Sequence, residues 1–328
     1  MTHRAGFSIP IPGLPLREHR TLLERAPDWG YTDVWTAESA GPDAFTPLAL
    51  AAAWCPSLRL GTSVIPAQTR GPATLAMTAA TLAEATDAEV VVGIGASGPP
   101  FVEDINGIPF REPYRHVRDT ARFLRTAFHG ELVQGDFDTF RIKGFHLSQL
   151  PPRAPRVMLG ALRPGMLRLA AREADQLLAP ALGAELLGDT RYVLDGQDVG
   201  DRALGRFFVC PTADRELGRM IGRRVLTPML MARTYWAFHS WLGRADLLGP
   251  MREAWLAGDW HRAQTLLPDR LLDELFVHGS PEECREHLER FVAAGIDTTI
   301  IALIPPPEFG GGLPGATAAL HALSPAGS

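Results

Sequence analysis

Patterns suited to strands and to helices alternate along this chain from end to end, and that alternation restricts its fold more than any single motif does. Strand-like runs recur at residues 5–9, 32–37, 58–64, 89–94, 156–160, 175–179, 206–210 and 297–304. Between them, Leu22, Leu23, Ala26 and Trp29 share one helical face, and Phe110, Tyr114, Val117, Ala121 and Leu124 form a second apolar stripe. Strands separated by helices imply parallel pairing through crossovers, and eight β/α units is the number that closes an α/β (β/α)8 TIM barrel. With 328 residues and 46% hydrophobic content, the chain is long enough for one such domain over residues 1–307.

Two regions exceed the minimal barrel. Residues 131–148 alternate around Gly135 and Gly144 and predict a hairpin before the fifth strand. Residues 213–275 predict a helical insertion carrying Trp236, Trp241, Trp255 and Trp260 with Met220, Met229 and Met231, suited to an apolar pocket, a subunit interface or plain helix packing. Residues 308–328 follow three prolines and contain Gly310, Gly311 and Gly312, and are expected to form a loose tail. A net charge of −5 leaves no basic footprint, so neither nucleic acid nor an anionic membrane surface is an expected partner. Cys55, Cys210 and Cys284 are far apart and fit neither a disulfide framework nor a zinc site, and no His-x-His follows the first strand. Pro10, Pro12 and Pro15 interrupt what a signal peptide needs and no run reaches the length of a membrane span, so a cytoplasmic protein without a metal is expected.

In a barrel of this kind chemistry belongs at the carboxyl ends of the strands. Those ends here read Glu38-Ser39, Gly61-Thr62-Ser63-Val64, Gly93-Ile94-Gly95-Ala96-Ser97-Gly98 and Gly160-Ala161-Leu162-Arg163-Pro164-Gly165. The third spells a dinucleotide-binding fingerprint, but Pro99-Pro100 follows, where an extended exit is expected, with the next helix starting near Phe110. The loop therefore reads as a place where a ligand approaches bare backbone. Pro164 suits a first helical turn, which leaves the amides of Gly165 and Met166 free to point at an anion, with Arg163 and Arg168 adding charge.

Several stretches together resemble the bacterial luciferase-like family of flavin- and deazaflavin-dependent oxidoreductases, most closely its coenzyme F420-dependent branch. They are residues 29–38, residues 57–66, Ala79-Ala80-Thr81-Leu82 leading into the Gly93 loop, residues 158–175, Gly279-Ser280-Pro281-Glu282-Glu283, and Ala294-Gly295-Ile296-Asp297. The resemblance runs from about residue 5 to residue 307. It implies a flavin-type ring held over the carboxyl face, with a non-prolyl cis peptide at Ser63-Val64 behind it and the segment from Gly160 to Met166 around the cofactor phosphate. The cofactor site it implies comprises Glu38, Ser39, Thr62, Ser63, Val64, Gly95, Ala96, Ser97, Gly160, Ala161, Leu162, Arg163, Gly165 and Met166.

The resemblance further implies an F420-dependent hydride transfer to or from a small organic substrate, in a homodimer. An FMN-dependent monooxygenase on the same barrel is the alternative, and a cofactor-binding protein with little or no turnover is another. The chain departs from its relatives at two places: Ser39 stands where many carry a histidine, and Ala96 and Ser97 stand where sugar-phosphate-oxidising members carry a glutamate. Glu38 is left as the candidate proton relay or cofactor contact. His116, His239 and Glu103 are read as packing or surface residues, and Arg111, Arg115 and Arg118 as either a contact for an acidic cofactor tail or a solvated helix face.

Overall fold

A computed structural model describes residues 3–179 and 203–327. Eight parallel strands form the barrel: β1 (Arg4–Ser8), β2 (Asp33–Thr36), β3 (Arg59–Thr62), β4 (Val90–Gly95), β5 (Arg156–Gly160), β6 (Gln176–Ala179), β7 (Ala203–Pro211) and β8 (Thr298–Leu303). Each pairs with the next in sequence, and β8 returns to β1, with Gly6 opposite Ile300 and Phe7 opposite Ile301. The expected strands thus coincide with the observed ones, and the sheet closes as a (β/α)8 barrel.

Alternation along each strand separates two cores. One set of side chains, among them Phe7, Val34, Leu60, Val92, Leu159, Phe207 and Ile301, points outward to the helices. The other set meets inside: Trp35, Val91, Met158, Leu204 and Ile300 fill the middle of the barrel. Glycine makes this filling possible, since a Cβ at Gly61 would stand 2.1 Å from the Trp35 ring.

Below that layer, at the amino ends of the strands, the interior is ionic. Fully buried Asp33 accepts from Arg59 at 2.5 Å and from Arg4. Arg59 also donates to Thr298 Oγ1 at 2.9 Å and lies 3.4 Å from Glu89, which in turn accepts from Arg156 at 2.9 Å. Every carboxylate in this plug faces a guanidinium, as burial of charge requires.

The two insertions are present. Val133–Asp136 and Arg141–Phe145 pair antiparallel, and Phe137, Phe140 and Phe145 cluster about Phe123. The helices Arg215–Met231, Arg233–Trp241, Ala245–Leu256, Trp260–Thr265 and Asp269–Leu275 build a satellite core around Leu226, Leu230, Leu248, Met251 and Leu272. Three expectations need correction. Residues 312–322 are not a loose tail: Gly312–Ala322 is a helix that buries Ala316, Ala319 and Leu320, and Tyr31 donates its hydroxyl proton to the Leu320 carbonyl at 2.9 Å. Small residues let it pack closely, and the preceding glycines only make the turn. Pro99-Pro100 does not force an extended exit: Pro99 is the N-cap, itself in the right-handed helical region, and Pro100 opens a short helix over Pro100–Ile105, where a missing N–H costs nothing. The following helix runs Pro113–Phe128, with Phe110 ahead of it, its N–H donated to Glu103 Oε1 at 2.8 Å.

Candidate active site

The mouth of the barrel is floored by glycine. A Cβ at Gly93 would meet the Thr62 carbonyl oxygen at 1.9 Å, one at Gly95 would lie 2.8 Å from Val64 Cγ2, and one at Gly160 would lie 3.3 Å from Val64 Cγ1. Val64 therefore spreads its methyl groups over bare backbone at the ends of β4 and β5 and makes a flat apolar shelf. The Ser63-Val64 peptide is cis, as the resemblance implies, and Ile65–Pro66 then pairs with Ile94 and Gly95. Thr62 and Ser63 spend their hydroxyl groups on neighbouring backbone: Thr62 Oγ1 donates to the Gly93 carbonyl at 2.9 Å and accepts from its N–H at 2.8 Å, and Ser63 Oγ donates to the Thr36 carbonyl at 3.3 Å. These two residues shape the shelf and offer it no free hydroxyl.

Beside the shelf the helix Pro164–Glu173 begins, with Arg163 as its extended N-cap and Pro164 at its first position. Gly165 is exposed, Ala161 is buried with its N–H donated to the Leu178 carbonyl at 3.2 Å, and Leu162 and Met166 are partly buried against the outer core. The free amides and the exposed Arg163 form an electropositive corner next to Gly160. Arg115 and Arg118, proposed for an acidic tail, are already engaged: Arg115 pairs with Glu112 at 2.8 Å and Arg118 with Asp119 at 2.6 Å and Asp138 at 2.8 Å. Arg111 is exposed and touches the site's flank only through its carbonyl, which accepts from Gln68.

Glu38 and Ser39 line a cleft of about 350 Å³ with Asp43, Thr69, Arg70, Phe101 and Asn106. Both Glu38 oxygens accept from Arg70, at 2.6 Å from Nη2 and 3.1–3.2 Å from Nε, and Arg70 also stands 5.2 Å over the Phe45 ring. The bidentate pair raises the Arg70 pKa further. Glu38 is thus clamped in its place. Arg70 was missed in the sequence, because it lies outside the strand ends singled out there.

The helix Arg233–Trp241 roofs the mouth. Thr234 Oγ1 donates to the Ser97 carbonyl at 3.4 Å, tying the insertion to the β4 loop in which Ser97 takes a left-handed conformation (φ 56°) beside the partly buried Ala96. The other candidates serve the scaffold. His239 is buried in the insertion with its pKa lowered to about 4 by desolvation and by Arg244. His116 is partly buried against the Ala67 carbonyl and the Phe140 ring, and burial lowers its pKa. Glu103 holds the Phe110 amide. No cluster of metal-ligating side chains occurs among the described residues, and no described helix is long and apolar enough to cross a membrane.

The model of the luciferase-like monooxygenase family matches residues 2–298. A protein of Mycobacterium tuberculosis provisionally named a coenzyme F420-dependent oxidoreductase is 27% identical over 315 residues, covering 88% of this chain and 91% of that protein. Among solved structures, an F420-dependent secondary alcohol dehydrogenase in complex with an F420-acetone adduct superposes with a TM-score of 0.75 at 17% identity, over 98% of this chain and 99% of that one. The oxygenating constituent of a diketocamphane monooxygenase from Pseudomonas putida, in complex with FMN, superposes with a TM-score of 0.66 at 17% identity, over 99% and 98% of the two chains. At these identities the two superpositions speak for the fold.

Proposed function

The chain belongs to the luciferase-like monooxygenase family, and from that premise we propose that it is an F420-dependent oxidoreductase that transfers a hydride between the deazaflavin and a small organic substrate. The observation that carries this reading is the mouth itself: an apolar shelf at Val64 over the side-chain-free floor of Gly93, Gly95 and Gly160, adjoining an electropositive helix start. A flat ring needs such a floor, and an anionic tail needs such a corner. The residues present therefore fit the cofactor.

When bound, the deazaflavin supplies the carbon that accepts or releases the hydride. The chain's own contribution is placement. Val64 and the glycines give the ring one face of contact, and Gly160 to Met166 with Arg163 hold the phosphate through backbone amides and one guanidinium. Glu38, fixed by Arg70, closes the edge of the site and presents a carboxylate that cannot swing away. The Arg233–Trp241 helix, fastened to Ser97 through Thr234, covers the mouth and keeps water from the transfer. Ser39 stands where many relatives carry a histidine, and Ala96 and Ser97 where sugar-phosphate-oxidising members carry a glutamate, which speaks for a substrate other than a sugar phosphate.

The test is a titration of the protein freed of cofactor with F420 and with FMN in parallel, followed by absorbance. Saturable F420 binding, with bleaching of the oxidised deazaflavin band when a substrate is added, is the expected outcome. Saturable FMN binding without F420 binding would replace the reading by that of a flavin monooxygenase.

A further inference from the structure

Strand β7 carries one charged side chain within the sequence Ala203-Leu204-Gly205-Arg206-Phe207-Phe208. Leu204 belongs to the layer that fills the barrel, so Arg206, two residues nearer the carboxyl end, shares its inward face and stands in the mouth. Its environment differs from that of the other interior arginines. Nε donates to Ser8 Oγ at 3.1 Å, and the guanidinium lies 5.4 Å over the Phe208 ring. These two contacts hold the group through Nε and its face, and no hydrogen bond from Nη1 or Nη2 is seen among the described residues. No carboxylate among the described residues pairs with it. Among the described residues the titratable group within electrostatic reach is the partly buried Tyr235 phenol of the helix Arg233–Trp241, whose charged neighbour there is Arg206. Burial pulls the guanidinium below its ordinary pKa, and an arginine stays charged at neutral pH even so.

A partly buried cation whose forked edge meets no acid among the described residues is suited to receive an anion. The position is also informative. Around the ring of strands β7 lies two steps from β5 and three from β4, the strand ends over which Val64 spreads, so Arg206 stands on a different wall of the mouth from the Val64 shelf. A molecule bridging the two walls would have one end at the guanidinium and the other over the glycine floor. The ligand's charge follows from the count of partners. Among the described residues a single guanidinium with two neutral hydroxyls, Ser8 and Tyr235, balances a monoanion with planar, forked oxygens and would leave a phosphate dianion half compensated.

We propose that Arg206, steadied by Ser8 and Phe208 and joined by Tyr235, receives a carboxylate of the substrate, which makes this enzyme's substrate a small organic acid. The proposal rests on the reading that the Val64 wall holds the redox cofactor, and it specifies which group on another wall meets the substrate.

Calorimetric titration at constant ionic strength tests it, using butyrate and benzoate, their amides, and phenyl phosphate as probes of the protein with and without F420. At least one of the two acids binds saturably, and its amide binds at least tenfold more weakly. Arg206→Met lowers the affinity for the acid tenfold or more and leaves the amide's unchanged; Arg206→Lys, which keeps the charge and loses the fork, falls between; Tyr235→Phe weakens the acid severalfold. Equal binding of acid and amide, a preference for phenyl phosphate, wild-type affinity in either Arg206 variant, or no binding of either acid overturns the proposal. F420 titrations of the same variants separate the two readings. Arg206-dependent acid binding in a protein that takes no F420 removes the cofactor reading alone, and normal F420 binding without acid binding removes the substrate reading alone.

Discussion

The two ends of this barrel treat buried charge in opposite ways. At the amino end Asp33, Arg4, Arg59, Glu89 and Arg156 form a closed set in which each charge meets an opposite one. At the carboxyl end Arg206 is held by Ser8 and Phe208 but meets no acid among the described residues. Reciprocated charge at the base can only serve the fold, because nothing remains to bind with. Charge at the mouth that no described carboxylate answers is left for a ligand to meet. The same residue type thus does structural duty at one end and waits for a partner at the other, in keeping with the division of labour between the two faces of this fold.

The comparison breaks first at the base. Asp33→Ala strands Arg59 inside the barrel and lowers unfolding stability by about 3–5 kcal/mol; denaturant midpoints measure it, and a loss below about 1 kcal/mol would mean that the plug is not what supports the amino end. Next comes the roof over the mouth. His239 is neutral in the fold with a pKa of about 4, against an unfolded value near 6.5. Between those values the unfolded chain binds the extra proton, so the stability this group contributes is present above about pH 6.5 and is lost as pH falls through about 4, a change of order 3 kcal/mol. Unfolding curves at several pH values should show that slope, and His239→Gln should flatten it.

At the shelf, Gly95→Ala sets a methyl 2.8 Å from Val64 Cγ2, a contact the valine must yield to. Affinity for the cofactor falls about tenfold, equivalent to about 1.4 kcal/mol, while the melting temperature hardly moves; the reverse pattern would make the glycine a folding requirement only. The smallest effect separates the two ends most cleanly. Arg206→Met leaves stability unchanged or raises it by up to about 1 kcal/mol, because it removes a partly buried charge without orphaning another among the described residues. A loss comparable with that of Asp33→Ala would show that the mouth arginine is structural after all.

Much of this was legible in one dimension. The eight strands lie where alternating patterns put them, since a strand buried on both faces needs a short apolar run whatever its neighbours are. The glycines of the β4 and β5 ends were readable as bare backbone, and Pro164 as a helix start. Pro99-Pro100 and the final helix were misread for a shared reason: proline and glycine signal an interruption in the pattern without saying whether a helix begins or a chain frays. Gly312–Ala322 is ordered because Tyr31 and the first β/α unit receive it, and that contact spans 289 positions.

The sequence by itself determined the barrel, the strand ends where ligands are met, and the family to which the chain belongs, because period and turn chemistry are local properties. Only the tertiary structure decided which charges are answered. Arg59 reaches Thr298 across 239 positions and Arg206 reaches Ser8 across 198. From the sequence both are a lone arginine inside an apolar strand. Closing the ring puts one into a plug of carboxylates and leaves the other facing the open mouth, and only that difference in neighbours marks Arg206 as a binding group.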